Sequence, residues 1–168
     1  MENVKPIPIT VDPGGGEILS VAGGNYRILV SGKQTNGAFS TIEMNVPPQN
    51  GPGPHSHAGF FESFYIVDGE VEVHSEAGSY TAKKGSFIVV PKGGIVHYFK
   101  NVGNKVAQLL CTVVPAGLEE FFEEIGKPIA FGELPPAPPI TAESMQNLQA
   151  IAQKHGQVLY PPNYLDQK

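Results

Sequence analysis

The chain has 168 residues, a formal net charge of -5 and one cysteine, Cys111. That length suits a single domain with a sizeable core. The dispersed charge gives a polyanion little to hold, which argues against nucleic acid as a partner, and one cysteine excludes an intrachain disulfide and fits a reducing compartment. The opening stretch "MENVKPIPIT" has neither a basic n-region nor an apolar h-region, and no later run approaches the length of a membrane span. The expectation is a soluble, cytoplasmic protein with no membrane partner.

Glycine (20) and proline (16) are spread as punctuation between short β-rich runs rather than pooled in one tract, the pattern of many short strands joined by turns. In chain order the candidate strands are "NYRILVSG", "AFSTIEMNVP", "ESFYIVD", "EVEVHS", "GSYTAK", "SFIVVP", "VHYFKN" and "VAQLLCTVVP". Asp68-Gly69 is a two-residue hairpin signal, because such turns need the positive φ that glycine adopts freely. Further hairpins are expected at Glu76-Ala77-Gly78 and near Lys84-Gly85, and "SFIVV" reads as a buried strand.

After Pro115 the period changes. Leu118, Phe121, Phe122 and Ile125 recur at helical spacing, with Glu119, Glu120, Glu123 and Glu124 on the other face, until Gly126 and Pro128 end the helix. "FGELPPAPPI" is an extended, Pro-rich connector. Thr141 is placed to N-cap a second helix with the stripe Met145, Leu148, Ile151 and Ala152. Both helices are too short to stand alone and must pack on the strands or on a partner subunit.

The chemistry-bearing residues cluster around "GPGPHSHAGFFESFYIVDGE". On an extended segment His55 and His57 point to the same face and can converge on one ion. Gly59 permits a turn before Glu62, which shares parity with the apolar Phe64 and Ile66 and so aims inward, where a carboxylate needs a partner. Downstream, His97 shares parity with Phe99. Three imidazoles and one carboxylate around a divalent ion, at roughly 2.0–2.2 Å, would leave one or two coordination positions open, as catalytic sites do. Each residue alone has an ordinary structural reading; the four together do not. His74, on the outward alternation of "EVEV", and His155, near a helix end, keep that reading, as does Cys111, a small buried hydrophobe. Of the aromatics Phe60, Phe61, Phe64, Tyr65, Tyr98 and Phe99, most belong to a core. By parity, Met44, Phe64 and Phe99 are the expected walls of a substrate pocket.

These residues resemble the two motifs of the cupin superfamily, of the type-2, quercetin 2,3-dioxygenase-like kind. The first motif is matched by His55, His57, Glu62 and Gly69, and the second by Gly85, Pro91, Gly93, His97 and Asn101. Two departures are visible: the glycine expected ahead of His55 falls at Gln49, and the gap from Gly93 to His97 is one residue longer than usual. The resemblance implies an all-β, small jelly-roll β-barrel, the double-stranded β-helix, over 25–115. An N-terminal extension at 1–24 would pack on it, and 116–168 would hold the C-terminal helices and the Pro-rich connector. It also implies one divalent transition metal ion (Fe, Mn, Ni, Co, Cu or Zn) on His55, His57, Glu62 and His97, and a homodimer. As to function, it implies a dioxygenase that cleaves a small aromatic, enolic or diketone substrate, with Glu62 as the catalytic base. The alternatives are a non-catalytic cupin that binds or senses a small organic molecule and, less favoured, a metal-dependent isomerase.

Overall fold

A computed structural model describes residues 7–167; of the N-terminal segment 1–24, residues 1–6 lie outside the described residues, as does Lys168 at the other end. The strands in order are β1 (Glu17–Val21), β2 (Gly24–Val30), β3 (Ser40–Val46), β4 (His55–His57), β5 (Phe61–Asp68), β6 (Glu70–Ser75), β7 (Gly78–Lys83), β8 (Phe87–Val90), β9 (His97–Lys100) and β10 (Ala107–Val114). Helix α1 (Leu118–Ile125), β11 (Lys127–Pro128), α2 (Ala142–Lys154) and β12 (Gln157–Leu159) follow. They build two antiparallel sheets, ordered β11-β1-β2-β3-β10-β5-β8 and β12-β4-β9-β6-β7. This is the all-β jelly roll expected from the resemblance. No helix among the described residues is long and apolar enough to cross a membrane.

Alternation decides which residues fill the space between the sheets. On β3 the buried set is Ser40, Ile42, Met44 and Val46; on β10 it is Ala107, Leu109, Cys111 and Val113, and the two strands pair along their whole length. Leu19, Ile66, Val71 and Phe99 join the same core. Helix α1 closes one end, with Phe122 edge-on to Tyr26 of β2 at a centroid distance of 5.0 Å. Thr141 caps α2 in a reciprocal capping box with Ser144, and Ala152 on the inner stripe of α2 is fully buried.

Several local expectations give way to the tertiary structure. Strands β5 and β6 lie in different sheets, so Asp68-Gly69 is a corner where the chain changes layer rather than a hairpin. Gly69 does take a positive φ of 78°, but it is also needed for room: a Cβ there would stand 3.0 Å from the Ala107 Cα. Lys84-Gly85 is a second corner, bonded to the first through Lys84 N–H to Gly69 C=O (3.1 Å) and Gly85 N–H to Ile66 C=O (2.9 Å). Of the three expected hairpins, only the one at Glu76-Ala77-Gly78 joins paired strands, β6 and β7. Strand β8 is the edge of the larger sheet, and its outer face is open: Phe87 is 65% exposed. A short apolar run is equally compatible with a buried strand and an edge strand, and here the edge won. Phe61 and Tyr65, on the outward parity of β5, are exposed as well, whereas Phe60, Phe64 and Phe99 are core. Gly59 adopts no left-handed conformation and has open space around it, so the turn before Glu62 does not require glycine.

Glu119 is a further correction. It does not share the solvent face of α1 with its neighbours but is 2% exposed, accepting hydrogen bonds from Gly32 N–H (2.5 Å) and Gly117 N–H (2.9 Å). Its place in the first turn explains this, since the free N–H groups there and the helix dipole favour an anion.

Candidate metal centre

The site lies between the sheets and takes a contribution from each. Strand β4 carries His55 and His57 and is held between β12 and β9, with His55 directly opposite His97. Glu62 comes from the other sheet, near the start of β5, paired with Val113 and Val90. One donor atom from each of His55, His57, Glu62 and His97 falls within 4.8 Å of all the others. The imidazole centroids stand 4.4 Å (His55–His97), 4.9 Å (His57–His97) and 6.0 Å (His55–His57) apart. The longer gap before His97 therefore does not displace its imidazole from the group.

Backbone carbonyls orient all three rings. His55 Nδ1 faces Gly53 C=O at 2.9 Å, His57 Nδ1 faces Phe60 C=O at 3.3 Å, and His97 Nδ1 faces Ile95 C=O at 3.0 Å. A carbonyl only accepts, so each Nδ1 carries a proton, and Nε2 is the ring nitrogen left to face the interior. At the same time Glu62 Oε2 lies 3.1 Å from His57 Nε2 and 3.3 Å from His97 Nε2. His57 and His97 thus face an acceptor at both ring nitrogens: a backbone carbonyl at Nδ1 and the Glu62 carboxylate at Nε2. Either a proton at Nε2 or a cation shared by the Nε2 atoms and Glu62 fills that contact, and outer Nδ1 hydrogen bonds of this kind are what fix metal-ligating histidines. The residues fit a divalent ion.

A family model for the cupin domain matches residues 42–113, the span that contains all four of these side chains and both corners. The chain carries a cupin domain. Over 148 residues it is 24% identical to quercetin 2,3-dioxygenase of Bacillus subtilis, an alignment that covers 86% of this chain and 43% of that protein. It is 31% identical over 79 residues to an oxalate-binding protein of Thermotoga maritima, covering 47% of this chain and 64% of the other. The chain thus spans less than two thirds of the length of either curated relative. Among solved structures, a predicted oxalate decarboxylase from Thermotoga maritima superposes with a TM-score of 0.51 at 28% identity, covering 55% of this chain and 80% of that one.

Electrostatics in the cupin site follow from burial. Burial, and then the neighbouring His97, lowers the His55 pKa to about 4, which keeps that ring neutral. For Glu62 burial works against the charge, but the contacts with His57 and His97 outweigh it and hold the carboxyl well below the usual range. Its second oxygen, Oε1, accepts from the Cys111 thiol at 3.5 Å. Burial and the Glu62 charge push the Cys111 pKa up, so it is a neutral donor rather than a nucleophile. Tyr26 is raised by burial and then by Cys111 and Glu62, and remains a phenol. Neither Cys111 nor Tyr26 stood out in the sequence as part of the site, although both obey the inward parity of their strands.

Of the expected pocket walls, Phe64 and Phe99 meet edge to face at 5.3 Å and, with Leu109, Ile88, Val90 and His97, line a cavity of about 10 Å³. That is room for about one water molecule. Met44 is buried between Tyr26 and Leu109 and does not line this space. The C-terminal arm closes the far side: β12 pairs with β4, Tyr160 N–H bonds Pro54 C=O at 2.9 Å, and the Tyr160 hydroxyl meets Ser56 at 3.3 Å. The two remaining histidines are structural. His74 stacks on Tyr98 and bonds Ser79, and His155, at the C-cap of α2, pairs with Glu124 at 2.8 Å.

Proposed function

We propose that this cupin is a metal-dependent dioxygenase acting on a small enolic or diketone substrate. The observation that carries the reading is the gathering of three imidazoles and one carboxylate within 4.8 Å of one another, each Nδ1 held by a backbone carbonyl. The likeness to quercetin 2,3-dioxygenase over most of the chain supports it. A first-row divalent ion held there supplies a Lewis acid that lowers the pKa of an enolic hydroxyl. Glu62, kept ionised, accepts the proton released. The resulting enolate is the electron donor that dioxygen oxidises; a carbon–carbon bond breaks and both oxygen atoms enter the products, so no external reductant is consumed. Phe64 and Phe99 give the space beside His97 an apolar wall. We also propose that the protein works as a homodimer, joined through the open edge of β8.

A second reading, a binding module without turnover, draws on the relative that is named for binding oxalate. Oxygen uptake separates the two. The protein is reconstituted with Fe(II), Mn(II), Ni(II), Co(II) or Cu(II) and offered flavonols, diketones and catechols. Consumption that disappears in His97→Ala supports the enzyme; ligand binding without consumption by any metal form supports the module.

A further inference from the structure

The C-terminal arm brings into the barrel a side-chain amide donor that no group among the described residues satisfies. In the β12–β4 ladder Gln157 is opposite His57, Val158 opposite Ser56 and Leu159 opposite His55. Directly opposed residues of an antiparallel pair share a face, with Cβ atoms about 4.5–5.5 Å apart. Gln157 and Leu159 therefore stand on the same face as the two imidazoles, while Val158 points away and is 53% exposed. Leu159 packs against the apolar core, as that position demands. Gln157 is 4% exposed, and its Nε2 has no hydrogen-bond partner among the described residues. A buried, unpaired amide donor costs stability, and a leucine of similar size would fill the space without that cost. Folding does not explain the amide.

We infer that Gln157 is a ligand-binding residue: its Nε2 donates a hydrogen bond to an oxygen of a small anionic or enolic ligand held at the coordination position that His55, His57, Glu62 and His97 leave open. The inference rests on the reading of those four as a metal site. It does not rest on turnover. A fixed N–H donor beside the metal favours a deprotonated oxygen over a neutral one, and the neighbouring apolar walls restrict what is attached to it. Gln157 also lies outside the stretch matched by the cupin family model, so this element of selectivity belongs to the chain's own C-terminal extension.

The test uses the Co(II)-loaded full chain titrated with acetylacetone, followed through the visible bands of the metal. Wild type is compared with Gln157→Leu and the isosteric Gln157→Glu. Co(II) stoichiometry and the ligand-free spectrum should be unchanged, because Gln157 is not a metal ligand. Acetylacetonate Kd should rise about tenfold or more in Gln157→Leu, the loss expected for one hydrogen bond to a charged oxygen, and further in Gln157→Glu, where a carboxylate faces the anion. Melting temperature of Gln157→Leu should match or exceed wild type, by roughly 2–4 °C if the orphaned donor costs what such groups usually do. An unchanged Kd in Gln157→Leu overturns the inference, as does an altered ligand-free spectrum or the absence of acetylacetone binding by wild type. Failure to bind Co(II) removes the metal site and the inference together. A Gln157-dependent Kd with no oxygen consumption by any metal form overturns the dioxygenase reading alone.

Discussion

Glu62 is where the two sheets meet chemically: Oε2 faces His57 and His97, and Oε1 takes the Cys111 thiol. Replacing Glu62 by Gln keeps the shape and one acceptor oxygen while removing the charge and the base. The expected outcome is retention of much of the metal with turnover down by at least about 100-fold, read from metal stoichiometry against oxygen uptake; turnover like that of wild type would exclude Glu62 as the base. Glu119 supports a different prediction. Burial raises its pKa, but the Ser40 side chain and the backbone N–H groups of Gly32 and Gly117 more than reverse this and leave it below the usual carboxylate value. Its folded pKa is thus depressed, so its contribution to stability is present above the unfolded value, about 4.3, and is lost as pH falls through the folded one. Glu119→Ala should cost about 1.5–3 kcal/mol at neutral pH, measured by urea unfolding, and the difference from wild type should shrink on acidification below about pH 4. At this scale the four candidate ligands were legible, because i, i+2 parity and an inward carboxylate are local facts. The burial of Glu119 was not, since it depends on the Gly32 loop reaching the first turn of α1.

Among the elements, α2 shows how local signals and packing cooperate. Thr141 and Ser144 satisfy each other's backbone donors, and the stripe of Leu148, Ile151 and Ala152 lays the helix on the core, so both the start and the buried face could be read from the sequence. Thr141→Ala should destabilise by about 1 kcal/mol, seen as a lower urea midpoint. Because α2 leads directly into β12, it should also quicken amide exchange in β12 more than in β3 or β10. Strand β12 itself was not foreseen. "QVL" is three residues long, too short for alternation to register, and it becomes a strand only because β4 offers it an edge. The same reason explains the misread corners: Asp-Gly supplies the backbone conformation of a tight turn, but whether the next strand pairs or crosses to the other sheet depends on what lies on either side.

For the molecule as a whole, metal and self-association are the levers. An ion that binds the folded site and not the unfolded chain stabilises by RT ln(1 + [L]/Kd), about 2.7 kcal/mol at a hundredfold excess over Kd. Chelation should therefore lower the melting temperature measurably, and the shift should vanish in a variant with both His55 and His97 replaced by Ala. The outer surface near β8 bears on assembly. Phe87 and Val89 on its open edge continue into Phe61 and Tyr65 of β5, all exposed, and pairing of one edge with its copy would give a self-complementary two-fold interface. Light scattering should report a dimer for wild type and a monomer for Phe87→Glu combined with Val89→Glu; a monomeric wild type would remove the homodimer. The sequence by itself determined the strands β2, β3 and β5 to β10, the amphipathic helices, the four candidate ligands and the cupin resemblance, because periodicity and motif spacing are properties of neighbours along the chain. Only the tertiary structure decided which turns are corners, that β8 is an edge, that Cys111 reaches Glu62, and that a C-terminal strand sets Gln157 beside His57. Each of these depends on strand order across two sheets, and that order is fixed by which faces must be buried together rather than by any local pattern.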